Sequence, residues 1–103
     1  MEKITNTKII YVDIDETICE SPNDRDYTNA KPIQKNIDKI NKLYDQGHTI
    51  VYWTSRGSRK QIDWHDLTKS QLNLWNVKYH ELRTDKPYYD LFVDDKTINI
   101  EKL

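Results

Sequence analysis

The chain has 103 residues, 16 of them basic and 17 acidic, and its formal net charge at neutral pH is −1. This length predicts one domain, residues 1–103, with a single core. The near-zero charge argues against bulk attraction to nucleic acid or to an anionic membrane. A single cysteine excludes an internal disulfide, and no apolar run resembles a secretory signal or a membrane span. We therefore expect a cytoplasmic protein without a membrane partner.

The first half of the chain predicts a strand, a flap, a helix and a second strand. Residues 8–12 are almost entirely apolar, as in a buried parallel strand, and the polar residues 16–31 predict a loop or a small flap. Pro32 fits the first turn of an amphipathic helix, and Gly47 fits its end. Residues 48–53 then predict the second strand.

The second half predicts another helix followed by shorter strands. The apolar face of the helix is expected to consist of Trp64, Leu67, Gln71, Leu74 and Trp75, with Asn76 as the stop. Residues 77–82 and 91–93 predict the third and fourth strands, and residues 98–100 predict an edge strand. Because strands and helices alternate, we predict a three-layer, Rossmann-like α/β fold with a mainly parallel central sheet.

Polar side chains stand in the sequence next to the ends of these predicted strands. They are Asp13 and Asp15 after the first strand, Thr54, Ser55 and Arg56 after the second, Lys86 before the fourth, and Asp94 and Asp95 after it. In open α/β sheets the functional site lies at the carboxyl ends of the strands. Several carboxylates with one ammonium suit a hard cation bound by oxygen, and Mg²⁺ together with a phosphate fits best.

These stretches, in this order, resemble the four motifs of haloacid dehalogenase (HAD) superfamily phosphatases. "DIDET" resembles the DxDx[TV] signature, "IVYWTSR" the second motif, Lys86 the third and "FVDD" the fourth. "RDYTNAKP", "TSRGS" and "KPYYDLFVDDK" more narrowly resemble small capless phosphatases linked to capsular polysaccharide biosynthesis. The chain departs from the superfamily pattern at Glu16, where Gly is common, and it has no room for a large cap domain.

The resemblance implies a role for each matched residue. Asp13 is the expected nucleophile that forms an aspartyl-phosphate, and Asp15 is the expected general acid and base. Thr54 is expected to bind the phosphoryl oxygens, and Lys86 to neutralise their charge. We also expect Mg²⁺ and Lys86 to hold Asp13 in its ionised form.

The resemblance also implies a Mg²⁺ site and a small phosphorylated substrate. The carboxylate of Asp13, the backbone carbonyl of Asp15 and the carboxylate of Asp94 are the expected metal ligands, with Asp95 as the second choice. The expected substrate is a phosphorylated sugar or a polysaccharide precursor. Candidate substrate contacts are Thr54, Ser55, Arg25, Tyr27, Arg56 and Arg59.

Specificity in a chain without a cap is expected from residues 16–31, from residues 56–66, or from a neighbouring subunit, so a homo-oligomer stays open. Two other functions also stay open. A polynucleotide 3′-phosphatase is disfavoured because the chain has no basic stripe with interleaved aromatic residues. A phosphoryl-receiver signalling domain is disfavoured by motif order, because here the acidic motif that carries the reactive Asp13 comes first and Lys86 precedes the last acidic pair.

Overall fold

Seven helices and strands make up the regular structure in the computed structural model, which describes residues 6–57 and 63–103. In chain order they are β1 (Ile9–Val12), β2 (Cys19–Glu20), β3 (Lys31–Pro32), α1 (Gln34–Asp45), β4 (Thr49–Trp53), α2 (His65–Leu74) and β5 (Glu81–Arg83). Short 3₁₀ turns occur at Tyr27–Asn29 and Ile100–Lys102. No helix within these described ranges is long and apolar enough to cross a membrane.

The three longer strands form a parallel sheet in the order β1–β4–β5. The central strand β4 is buried at Ile50, Val51 and Tyr52, as expected for a strand covered on both faces. Val12 of β1 lies opposite Tyr52 of β4, so the residues that follow the two strands emerge at the same edge of the sheet. The predicted α/β class with a mainly parallel sheet is confirmed, and the described residues form no large cap domain.

The residues between β1 and α1 form the small flap that the sequence predicted. β2 and β3 pair in an antiparallel two-stranded sheet, with Cys19 opposite Pro32. This pairing takes Pro32 out of the predicted helix, and α1 therefore begins at Gln34. The helix ends as predicted, since Gly47 has a φ of 98°, a conformation that a Cβ atom makes costly.

Helix α2 buries most of the predicted face, since Gln71 and Trp75 are buried and Trp64 and Leu67 are half-buried. Leu74 is 76% exposed, whereas Thr68, Gln71 and Leu72 are buried. The predicted stop at Asn76 is confirmed, because Asn76 follows the helix with a φ of 58°. The prediction is wrong at Leu74, and the buried polar residues Thr68 and Gln71 have a hydrogen-bond partner in the site.

The predicted strands after Lys86 are absent from the described structure. Residues 91–93 form no strand, and Leu91 and Val93 are 79% and 85% exposed. Residues 98–100 also form no strand, and Ile100 instead begins a 3₁₀ turn. An apolar run of three residues before two acids offers little burial to offset the entropy lost when chain is ordered into a sheet. The prediction of fourth and edge strands is therefore wrong for this structure.

Candidate active site

The two aspartates of the first motif lie in a tight turn directly after β1. The N–H groups of Thr17 and Ile18 both donate to the carbonyl of Ile14, at 3.1 and 2.9 Å. Glu16 has a φ of 63°, in the left-handed region that favours glycine, which explains why glycine would suit this position. The turn directs both carboxylates into one cavity of about 350 Å³. We call this cavity, whose lining includes Asp13 and Asp15, the acidic cleft.

A lysine faces the first aspartate across the acidic cleft. The ammonium Nζ of Lys86 lies 3.5 Å from Oδ1 of Asp13. Its backbone N–H donates to the carbonyl of Thr54 at 3.2 Å, which ties it to the end of β4. The ammonium also lies 5.6 and 5.2 Å from the ring centroids of Trp53 and Tyr89. The predicted pairing of a lysine with the nucleophile position is therefore present in the fold.

Burial raises the pKa of the Asp13 carboxyl above its ordinary value, and the charge of Asp15 raises it further. The Lys86 ammonium and the backbone N–H of Ile14 lower the pKa, but not enough to offset burial and Asp15 together. Lys86 alone thus does not produce the expected lowering.

The second aspartate pairs with a buried arginine. Nε of Arg56 lies 3.2 and 3.1 Å from the two carboxylate oxygens of Asp15, and NH2 lies 2.8 Å from Oδ1. The Arg56 side chain is fully buried and the Asp15 side chain is 20% exposed. The hydroxyl of Ser21 also donates to Oδ1 of Asp15, and the thiol of Cys19 lies 3.5 Å from the same oxygen. Asp15 is thus held from several sides.

The remaining contacts of Arg56 are with helix α2 and with the flap. NH1 donates to Oγ1 of Thr68 at 3.0 Å and to Oε1 of Gln71 at 2.6 Å, both on α2. The guanidinium carbon lies 4.6 Å from the ring centroid of Tyr27 in the flap. Every side-chain nitrogen of Arg56 has a partner inside the protein, and its role as a substrate contact stays a prediction.

The other residues of the second motif divide between the interior and the cleft. Thr54 is 1% exposed, and its Oγ1 accepts a hydrogen bond from the backbone N–H of Arg56 at 3.2 Å. Ser55 lines the acidic cleft. Of the two hydroxyls, that of Ser55 is therefore the better placed to contact a substrate, and the buried Thr54 shapes the turn.

The predicted metal ligands are only partly brought together. Asp94 and Asp13 both line a second, larger cavity of about 750 Å³ beside β1, and Asp95 does not line it. Within residues 6–57 and 63–103, no three His, Cys, Asp or Glu side chains form a group able to hold a metal ion. The donor chemistry still fits Mg²⁺, which binds hard oxygen and often keeps several waters beside one or two carboxylates. Asp13 and Asp94 are the candidates for those carboxylates.

The predicted rim residues are distributed unevenly. Arg25 and Tyr27 of the flap line the acidic cleft, as expected. Arg59 lies outside the described residues. The sequence reasoning missed two kinds of site residue, the tyrosines Tyr88 and Tyr89 that line the cleft, and the buried partners of Arg56 on α2. The two tyrosines directly follow Lys86 and Pro87 in the sequence, and this position could have identified them as site residues.

Comparison with known proteins supports the fold and leaves the function open. The chain is similar to a crystal structure of a Vibrio cholerae protein, with a TM-score of 0.80 and 22% sequence identity. The match covers 94% of this chain and 86% of the other. No protein-family model matches the chain, and a comparison with curated proteins gives no match. The shared structure identifies a small Rossmann-like α/β fold without a large cap.

Proposed function

We propose that this chain is a Mg²⁺-dependent phosphomonoester hydrolase of the HAD type, located in the cytoplasm. One observation carries the proposal: Asp13 follows the first parallel strand and faces the Lys86 ammonium at 3.5 Å, with Asp15 beside it in the same cleft. A nucleophilic carboxylate, a second carboxylate for proton transfer and a cation for phosphoryl charge are the groups that this reaction requires.

In the first step, a carboxylate oxygen of Asp13 attacks phosphorus and the bond from phosphorus to the leaving oxygen breaks. Asp15 gives its proton to that oxygen, and an aspartyl-phosphate forms on Asp13. In the second step, Asp15 takes a proton from water, which attacks phosphorus and releases phosphate from Asp13. Lys86 offsets the charge of the phosphoryl oxygens in both steps.

Mg²⁺ is proposed because the nucleophile and the phosphate are both anionic. The carboxylates of Asp13 and Asp94 and the backbone carbonyl of Asp15 are its candidate ligands, with Asp95 as the alternative to Asp94. When bound, the cation reduces the repulsion between the carboxylate and the phosphate. Asp13 and Asp94 line one cavity, and this shared location supports the assignment.

The proposed substrate is a phosphorylated sugar or a polysaccharide precursor. The acidic cleft of about 350 Å³ is lined by Arg25 and by the rings of Tyr27, Tyr88 and Tyr89, which suit a polar ligand with flat apolar faces. The nucleic-acid alternative has less support, because the chain is close to neutral overall.

The deciding experiment is covalent trapping with ³²P-labelled substrate in the presence of Mg²⁺. Asp13→Asn is expected to lose both turnover and covalent label. Asp15→Asn is expected to keep the label and to lose turnover by about 10²–10⁴-fold for a poor leaving group. Label on Asp13→Asn but not on Asp15→Asn would reverse the two assignments. A stable label without turnover in the wild type would favour the receiver domain, and preference for a 3′-phosphorylated oligonucleotide would favour the polynucleotide phosphatase.

Metal dependence is tested in the same assay. We expect full loss of turnover in excess chelator and recovery on addition of Mg²⁺. Asp94→Asn is expected to raise the Mg²⁺ concentration needed for half-maximal rate, and a larger rise with Asp95→Asn would assign the ligand to Asp95 instead. Turnover that persists in excess chelator would contradict the proposed use of Mg²⁺.

A further inference from the structure

Arg56 joins three parts of the fold at the back of the acidic cleft. It follows β4, contacts Tyr27 of the flap through its guanidinium plane, and donates to Gln71 of α2. Gln71 in turn donates from Nε2 to the backbone carbonyl of Tyr27 at 2.6 Å. A fully buried arginine with this many fixed partners has little freedom to move, so the group that it contacts at the cleft is also fixed.

We propose that Arg56 is a positioning residue that orients Asp15 for proton transfer. The inference rests on the proposed function, in which Asp15 is the general acid and base. Nε and NH2 of Arg56 contact the carboxylate along one edge, which fixes the plane of the carboxyl group and its rotation about the bond to Cβ. A general acid gains most of its effect from such fixed geometry.

The contacts also distinguish the two oxygens of Asp15. Oδ1 accepts from Nε and NH2 of Arg56 and from the hydroxyl of Ser21. Within the described residues, Oδ2 accepts only from Nε, at 3.1 Å. Oδ1 is therefore the more firmly held oxygen, and the carboxylate has a fixed orientation at the cleft.

A lysine at position 56 could not make the same set of contacts. The guanidinium presents separate donors on its three nitrogens, and here they serve Asp15 on one side and Thr68 and Gln71 on the other. An ammonium is a compact charge that cannot reach both sides at once. Arg56→Lys thus keeps the positive charge and removes the orientation, which makes it the informative variant.

The test compares two aryl phosphates that differ in their need for a general acid. Phenyl phosphate has a poor leaving group, whereas p-nitrophenyl phosphate has an activated one. The rate of aspartyl-phosphate formation is measured in single turnovers at saturating substrate and Mg²⁺. For Arg56→Lys we expect a loss on the order of 10²-fold with phenyl phosphate and less than about 10-fold with p-nitrophenyl phosphate, with KM unchanged.

Two further variants separate positioning from a structural role. In an Asp15→Asn background, Arg56→Lys is expected to cause no further change in the ratio of the two rates, because both changes remove the same proton transfer. Arg83→Lys is the matched control, since Arg83 pairs with Asp85 at 2.6 Å on the exposed surface. It is expected to leave both rates unchanged.

The outcomes distinguish this inference from the proposed function. Equal losses with the two substrates would mean that Arg56 only supports the fold, and would overturn the positioning role alone. A wild-type protein without turnover or covalent label overturns the proposed function and this role with it. If Arg56→Lys fails to fold, Gln71→Leu replaces it, because it removes one of the two acceptors of NH1 of Arg56 while leaving the contact to Asp15. It is expected to change the rate ratio in the same direction, and an unchanged ratio would overturn the positioning role.

Discussion

The two aspartates of the first motif should differ sharply in their effect on stability. We predict that Asp15→Asn lowers the free energy of unfolding by several times as much as Asp13→Asn. The Asp15 carboxylate is the counter-ion of the fully buried Arg56, so its removal leaves a buried positive charge without a negative partner. Asp13 has a longer contact, 3.5 Å, with Lys86, and its own side chain is 39% exposed.

The structure sets the size of the effect. Removing one partner of a buried ion pair costs about 3–5 kcal/mol, which is a large part of a typical total stability. The Asp15 side chain is 20% exposed, and Asn retains one oxygen acceptor for the guanidinium, so we expect about 2–3 kcal/mol. Asp13→Asn removes a charge whose burial is unfavourable, and it also removes the contact with Lys86. These two effects on stability oppose each other. We expect a change within about 1 kcal/mol.

The assay is urea unfolding followed by tryptophan fluorescence at neutral pH in the presence of chelator. Chelator removes any contribution of bound cation to stability, so the two variants are compared on the fold alone. The change in stability is read from the midpoint at constant m-value. The same curves show which conditions keep Asp15→Asn folded, and the trapping experiment should be run under those conditions.

Equal destabilisation by the two substitutions would refute this reasoning. So would an Asp15→Asn variant within about 0.5 kcal/mol of the wild type, since ordinary surface substitutions have effects of that size. Either result would mean that Arg56 finds another partner when the carboxylate is removed. The assignment of Arg56 as a positioning residue would then lose its structural basis.

Three further predictions concern the burial of side chains and the conformation of the backbone. The Tyr52 hydroxyl is buried without a hydrogen-bond partner among the described residues, so Tyr52→Phe should raise the free energy of unfolding by about 1 kcal/mol, and a loss of that size in urea unfolding would reveal a missed partner. Asn76 has a φ of 58°, so Asn76→Ala should cost about 1 kcal/mol in the same assay while Asn76→Gly stays close to the wild type. Burial raises the pKa of the Cys19 thiol to about 12, so iodoacetamide at about pH 8.5 should modify Cys19 far more slowly in the folded protein than in urea, whereas equal rates would contradict its burial.

Local features of the chain were predicted from sequence because their causes lie within a few residues. The apolar runs that became β1 and β4 are contiguous, and the helix ends at Gly47 and Asn76 depend on backbone conformations that these residue types tolerate. The position of Asp13 and Asp15 at the end of a strand followed from the same reasoning. A parallel sheet then required the ends of β1 and β4 to share an edge.

The contacts of the candidate site depended on tertiary structure. Arg56 is separated from Asp15 by 41 positions, and no periodicity links them, so the sequence suggested a solvent-facing arginine where the fold has a buried one. The same residue explains the buried polar groups of α2, since Thr68 and Gln71 accept hydrogen bonds from a charge that hydrophobic patterning cannot register. For the apolar residues 91–93 the error was the opposite, because a buried strand was predicted and the structure leaves these residues exposed. Burial is a property of the assembled fold, and a local pattern reports only what a segment would bury if a partner were available.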